Sequence, residues 1–139
     1  MTPADLARIH VRAFPQERGW SEEEFATLLA QPGAVLSGDA RAFALLRVVA
    51  DEAEVLTIAT DPDHRRKGHA RAALAEAEAM AAALGATAVF LEVAEDNTPA
   101  QELYAQAGYH QVGRRPNYYV PKNAAPVAAL VLRKDLAPK

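Results

Sequence analysis

Apolar residues first recur at helical spacing. Leu6, Ile9, His10 and Ala13 share one face, and Thr2-Pro3-Ala4-Asp5 ahead of them supplies a cap, a first-turn proline and an acidic capping-box partner. Ser21-Glu22-Glu23-Glu24 repeats the signature, with Phe25, Leu28 and Leu29 as the stripe and Gln31-Pro32-Gly33 as the stop. Phe14 to Trp20 forms the loop between these helices. From Ala34 the period falls to two. Ala34 to Leu36, Ala42 to Val49 and Ala53 to Thr60 read as three strands, joined by the turns Ser37-Gly38-Asp39 and Ala50-Asp51-Glu52 into an antiparallel meander. Asp61-Pro62 ends the third strand. A long alanine-rich helix then runs to Leu84, with Leu74, Ala77, Met80, Ala81 and Leu84 on its apolar stripe, Glu76 elsewhere and Gly85 as terminator. Ala88 to Val93 is apolar on both faces apart from Glu92, as suits a central strand, and strand–helix–strand order makes it parallel to the third strand. Thr98-Pro99 opens a short helix, apolar at Ala100, Leu103, Tyr104 and Ala107 and closed by Gly108. Two further strands, about Tyr109 to Arg114 and Val127 to Arg133, flank a proline- and tyrosine-rich loop from Arg115 to Pro121.

One stretch does not fit a plain helix start. His64-Arg65-Arg66-Lys67-Gly68-His69-Ala70-Arg71 puts four cations in the loop and first turn of the long helix, where the helix dipole favours acidic groups. An anion docked on the free backbone N–H groups removes the conflict. A solvated basic turn is the plain alternative. A nucleic-acid patch is a second, but the run is short, carries no interleaved aromatics and sits in a chain of net charge −3. No Lys-Ser or Lys-Thr follows the glycine, so this is not a Walker loop. A phosphate-bearing cofactor is the better reading.

Length and composition narrow the class. The 139 residues suit one domain, residues 1–139, able to bury about two-thirds of its unfolded surface. A pI near 5.8 argues against general binding to nucleic acid or anionic membrane. No apolar run approaches the ~20 residues that span a bilayer, and the N-terminus lacks a signal-peptide core, so a cytoplasmic protein is expected. The absence of cysteine excludes disulfides, thiolate metal sites and a cysteine acyl-enzyme. No metal is expected.

The order helix, helix, three-strand meander, helix, strand, helix, two strands resembles the GCN5-related N-acetyltransferase (GNAT) superfamily. Its acetyl-CoA loop, Gln/Arg-x-x-Gly-x-Gly/Ala, is matched by Arg65-Arg66-Lys67-Gly68-His69-Ala70 between a strand and a helix. Within the superfamily the chain is similar to the ribosomal-protein alanine N-acetyltransferases (RimI type). The similar stretches are Trp20-Ser21, Asp51 to Glu54, Ile58 to Pro62, Leu91-Glu92-Val93, Asn97 with Leu103-Tyr104, Ala107-Gly108-Tyr109 and Arg114 to Tyr119. The resemblance implies an α/β fold with a mixed sheet of about six strands, four flanking helices and parallel strands splayed at the cofactor site. The chain departs from the family in three places. It opens at the first helix, so the family's first strand is missing or vestigial; His69 replaces a more common aliphatic residue; and Val127-Ala128-Ala129 stands where many relatives carry an acidic residue.

The resemblance also implies the chemistry. Acetyl-CoA is the expected co-substrate and a protein or peptide N-terminus, first of all a ribosomal-protein alanine, the acceptor. Without cysteine, direct attack in a ternary complex is the simplest route. Glu92 corresponds to the proton acceptor; a carboxylate inside an apolar strand is costly unless functional or paired, and neutralisation by a neighbouring arginine is the other reading. Tyr104 is the expected general acid, or else a core tyrosine. A phenol near 10 protonating a thiolate whose acid is near 8.5 runs uphill by only about 2 kcal/mol. Arg65, Arg66, Lys67, Gly68, His69, Ala70 and Arg71 are expected on the pyrophosphate, backbone N–H groups of Ile58, Ala59 and Thr60 at the oxyanion, and Asn97 on the pantetheine arm, if it is not merely a helix cap. Trp20, Tyr118 and Tyr119 are candidate walls of the peptide groove; Trp20 can equally pin its loop to the core, and the tyrosines can stack on their own strands. Two rival functions remain open: a GNAT enzyme acetylating a small amine, and a non-catalytic acetyl-CoA-binding module.

Overall fold

The computed structural model describes residues 1–15, 18–120 and 124–136; part of the loop expected from Phe14 to Trp20, and Pro121 at the end of the later loop, lie outside them. Among the described residues four helices flank one sheet: α1 (Pro3–Ala13), α2 (Glu22–Leu29), α3 (His69–Ala83) and α4 (Thr98–Gln106). The strands are β1 (Ala34–Asp39), β2 (Ala42–Val49), β3 (Glu52–Thr60), β4 (Ala88–Ala94), β5 (His110–Tyr119) and β6 (Val127–Asp135), in the order β1-β2-β3-β4-β6-β5. Both expected capping boxes form: Thr2 and Asp5 exchange hydrogen bonds at α1, and Ser21 and Glu24 at α2. The meander is antiparallel and β3 runs parallel to β4, as the periodicity implies.

The core is split by the sheet. One face packs Leu46, Ala53, Val89, Leu91, Val93 and Leu132 beneath Leu74, Ala77 and Ala81 of α3. The other packs Phe43, Leu45 and Ala59 against Leu6 and Ile9 of α1 and Phe25 of α2. Each fully buried side chain of this size contributes about 1.5–3 kcal/mol, so both layers are needed.

Three expectations are corrected. Ser37, Gly38 and Asp39 are not the first turn of the meander but the end of β1, and the turn falls at Ala40-Arg41. Met80 and Leu84 are exposed, and the buried face of α3 is Ala73, Leu74, Ala77, Glu78 and Ala81. Glu78 enters that face because both its oxygens are satisfied: Tyr109 Oη donates to Oε2 at 2.8 Å and Lys134 Nζ to Oε1 at 2.8 Å. The segment from Arg115 to Tyr119 is not a free loop but the end of β5. Pro116 is tolerated because β5 is an edge strand, where a missing N–H leaves no ladder bond broken.

The feature that shapes the site is where β3 and β4 part. Their pairing stops at Glu54↔Phe90, after three residue pairs. Leu56 is an extra residue in β3, since Leu46 pairs with Val55 and Leu45 with Thr57. A bulge bends its strand and increases local twist, so β3 leaves β4 at the point where the ladder ends.

Candidate active site

The glycine turn lies between β3 and α3. Asp61 caps a 3-10 turn, Pro62–His64, and Arg12 of α1 pairs with Asp61 at 3.2 Å and Asp63 at 3.0 Å, tying the loop to the helix layer. Arg66 and Gly68 both take positive φ, 63° and 78°. Gly68 is the N-cap of α3 and offers no side-chain cap, and no acidic residue stands in the first turn. A Cβ built on Gly68 would meet nothing within 4 Å, so the ground beside the helix start is open. First-turn amides without a protein acceptor, in open space, fit a diphosphate group.

The expected cations divide into two kinds. Arg65 donates to the Ala13 carbonyl at 3.2 Å, and Arg71 to the Gln106 carbonyl at 3.1 Å, so these two fasten the loop to α1 and α3 to α4. Arg66 and Lys67 are exposed and have no ion-pair or hydrogen-bond partner among the described residues. The His64 and His69 rings meet edge to face, 6.1 Å apart. Ala70 is half-buried at the start of α3.

Beyond Phe90 the inner edges of β3 and β4 are free of each other. Ile58, Ala59 and Thr60 pair with Ala44, Phe43 and Ala42 on the β2 side, and no β4 partner stands opposite them among the described residues. Glu92 lies in the same unpaired interval of β4. Val89, Leu91 and Val93 enter the core under α3, so Glu92 points to the opposite face. Tyr104 packs against the α3-side core from α4, with its ring 5.9 Å from that of Tyr109. The two candidates therefore occupy opposite faces of the sheet, with Glu92 in the interval where β3 and β4 have parted.

Glu92 has the neighbour that the paired reading required. Arg115 Nη2 stands 3.3 Å from Oε1, while Oε2 is buried with no hydrogen-bond partner among the described residues. One oxygen is thus held and the other left over, which a purely structural ion pair does not need. Burial, and secondarily the nearby Tyr119 hydroxyl, pushes the Tyr104 phenol up to about 12. Against a thiol near 8.5 the proton transfer is then uphill by about 5 kcal/mol, more than the exposed-phenol figure.

The remaining candidates are placed as follows. Asn97 caps α4, its side chain accepting from the Ala100 N–H at 3.3 Å, which leaves the carboxamide NH₂ as the donor for another group. Trp20 stacks on His10 at 4.8 Å, and its backbone N–H donates to His10 Nδ1 at 3.2 Å, so it does pin its loop to the core. It also lines an open depression of about 580 Å³ with Ser21, Glu23, Glu24, Thr27 and Leu28. Tyr118 and Tyr119 meet edge to face, 5.0 Å apart, at the end of β5. Arg115 went unassigned at the level of sequence, because nothing in the chain order pairs position 115 with position 92.

The chain that carries this glycine turn, parted pair of strands and inserted carboxylate belongs to the Acetyltransferase (GNAT) family, whose model matches residues 4–109. It is an N-acetyltransferase, and its similarity to the RimI type is borne out. The chain is 36% identical over 111 residues to the [Ribosomal protein bS18]-alanine N-acetyltransferase of Escherichia coli strain K12, covering 77% of this chain and 72% of that one. It is 33% identical to the N-alpha-acetyltransferase RimI of Mycobacterium tuberculosis, covering 97% of this chain and 89% of that one. The crystal structure of the ribosomal-protein-S18-alanine N-acetyltransferase from Escherichia coli superposes with a TM-score of 0.85 at 30% identity, covering 99% of this chain and 89% of that chain.

Proposed function

We propose that this enzyme transfers an acetyl group from acetyl-CoA to the α-amine at a protein N-terminus, a ribosomal-protein alanine first, by direct attack in a ternary complex. The observation that carries the proposal is the coincidence of the strand break at Glu54↔Phe90 with an inserted carboxylate, Glu92, in the same interval of β4. The E. coli and M. tuberculosis relatives, named for alanine and N-alpha acetylation, supply the acceptor class. Residues 1–139 are read as one domain working in the cytoplasm, without a metal; among the described residues no helix is long and apolar enough to cross a membrane.

Acetyl-CoA, when bound, supplies an activated acetyl thioester. The chain's own residues do the rest. Arg66, Lys67 and the amides from Gly68 to Arg71 hold the diphosphate, with Arg65 and His69 shaping the turn. Asn97 offers its carboxamide to the pantetheine arm. Backbone N–H groups between Ile58 and Thr60, left without a β4 partner, donate to the carbonyl oxygen as charge builds on it. Glu92 takes the proton from the attacking nitrogen, and Tyr104 supplies one to the departing sulfur. Trp20, Tyr118 and Tyr119 line the approach of the acceptor chain.

Mass spectrometry of a peptide panel varying only the first two residues, incubated with enzyme and acetyl-CoA, tests the reading. Acetyl addition at the α-amine of alanine-initiated peptides is expected. Acetylation of free small amines with none of any peptide would overturn it in favour of a small-molecule enzyme, and cofactor binding without transfer in favour of a binding module.

A further inference from the structure

Glu92 and Arg115 lie on different strands, separated by β6. Glu92 pairs with Val131, and Val131 with Gly113. Arg115 is two residues further along β5, on the same face, and pairs with the small, buried Ala129. Gly113 places no side chain in the row directly across from Glu92, so Arg115 can reach diagonally to it. Beyond Arg115 the strand is irregular: Pro116, Asn117 and Tyr118 face the single residue Ala128 before Tyr119 pairs with Val127. Asn117 takes φ 56°, a left-handed conformation that asparagine accepts more readily than most residues. This widened end brings Tyr118 back under the arginine, with the guanidinium carbon 5.5 Å from the ring centroid. The Arg115 side chain is 59% exposed and that of Glu92 only 23%. An ion pair this open is weak by itself. Here it is held from two sides, and it engages one carboxylate oxygen alone.

We propose that Arg115 is a positioning residue: it holds Oε1 of Glu92 and so fixes the orientation of the carboxylate that receives the acceptor's proton. This rests on Glu92 being the base. In the step the attacking nitrogen loses a proton as its bond to the acetyl carbon forms, an O–H bond forms on the Glu92 carboxylate, and the guanidinium, which has no acceptor capacity, keeps its protons throughout. Tyr118 holds the guanidinium over the carboxylate by cation–π contact, so the widened end of β5 is the device that aims the base.

Steady-state kinetics on an alanine-initiated peptide tests this with Arg115→Ala, Arg115→Lys and Glu92→Gln. Arg115→Ala is expected to lower kcat about 10- to 100-fold, the scale of a misplaced group, with the peptide KM within about threefold and Tm unchanged. Arg115→Lys retains an intermediate kcat, and added guanidinium ion restores part of the rate of Arg115→Ala but none of that of Glu92→Gln. An unchanged kcat in Arg115→Ala, a loss confined to KM, or a loss that neither lysine nor guanidinium relieves would overturn the proposal while leaving the base in place. A full rate in Glu92→Gln would overturn the base assignment and this inference with it.

Discussion

Burial carries the Tyr104 phenol to about 12, so the hydroxyl stays protonated at every pH at which the protein works. A weaker acid is a poorer proton source in solution, but one that is always loaded needs no pre-equilibrium. Tyr104→Phe keeps the ring packed against the α3-side core and removes only the hydroxyl, so turnover should fall about 10²-fold with Tm unchanged. A near-normal rate would return Tyr104 to a core role. His10 makes the opposite kind of statement. Burial lowers its pKa below the ordinary 6.5, and its Nδ1 accepts the backbone N–H of Trp20. The folded state therefore holds fewer protons at this site than the unfolded chain below about pH 6.5, and stability falls as pH drops through that range. Denaturant midpoints at pH 7.5 and 5.5 should differ in the wild-type protein and converge in His10→Gln. The lowered carboxylates, Asp5 beside Thr2 and Glu24 held by Arg18 to about 2, act in a separate and more acid window: their stabilisation is complete above the ordinary carboxylate range and lost as pH falls toward 2.

Elements were legible in the sequence wherever one signal decided them. Two capping boxes fixed the starts of α1 and α2, and alternation fixed the meander, because each is a local pattern with a local cause. What escaped has a non-local cause. Alanine repeats blurred the face of α3, and Glu78 is inside only because Lys134 and Tyr109, 56 and 31 residues away in sequence, complete it. The Leu56 bulge leaves no mark in the alternation of β3, and Pro116 reads as loop until β5 is known to lie at an edge. Gly68 was legible for its type and position, and two glycines separate conformation from space. Gly33 at φ 80° has the Val48 carbonyl where a Cβ would go, whereas Gly68 at φ 78° has open ground. Gly33→Ala should cost about 3 kcal/mol or more, from strain and clash together. Gly68→Ala should cost only the left-handed strain, about 1–2 kcal/mol, while raising the KM for acetyl-CoA. Thermal melts and cofactor titration of the two variants check the contrast, and equal losses of stability would remove the distinction.

At the scale of the whole molecule, a sheet with a helix layer on each side would normally seal its two faces from each other. The parting of β3 from β4 opens that wall at one place, with a protonated phenol packed on the α3 face and a carboxylate on the α1–α2 face. In the mechanism we propose, such a layout keeps the donor of the leaving group's proton apart from the acceptor of the nucleophile's, so neither neutralises the other directly. The nucleophile must still arrive unprotonated, and here the acceptor's own chemistry decides the pH dependence. An α-amine near 7.7–8.0 is about a tenth neutral at pH 7, whereas a lysine near 10.4 is neutral at only a few parts in ten thousand. Tyr104, at about 12, stays protonated across this range and puts no ceiling on the rise. For an alanine-initiated peptide, kcat/KM should climb nearly tenfold per pH unit from pH 6 toward 7.5 and level off above about 8. A peptide blocked at its N-terminus and offering only lysine should be slower by two to three orders of magnitude at pH 7 and should still be climbing at pH 9. Measuring both profiles on the same enzyme separates the acceptor classes, and a flat profile between pH 5 and 9 for the free N-terminus would mean that amine deprotonation is not part of the rate at all.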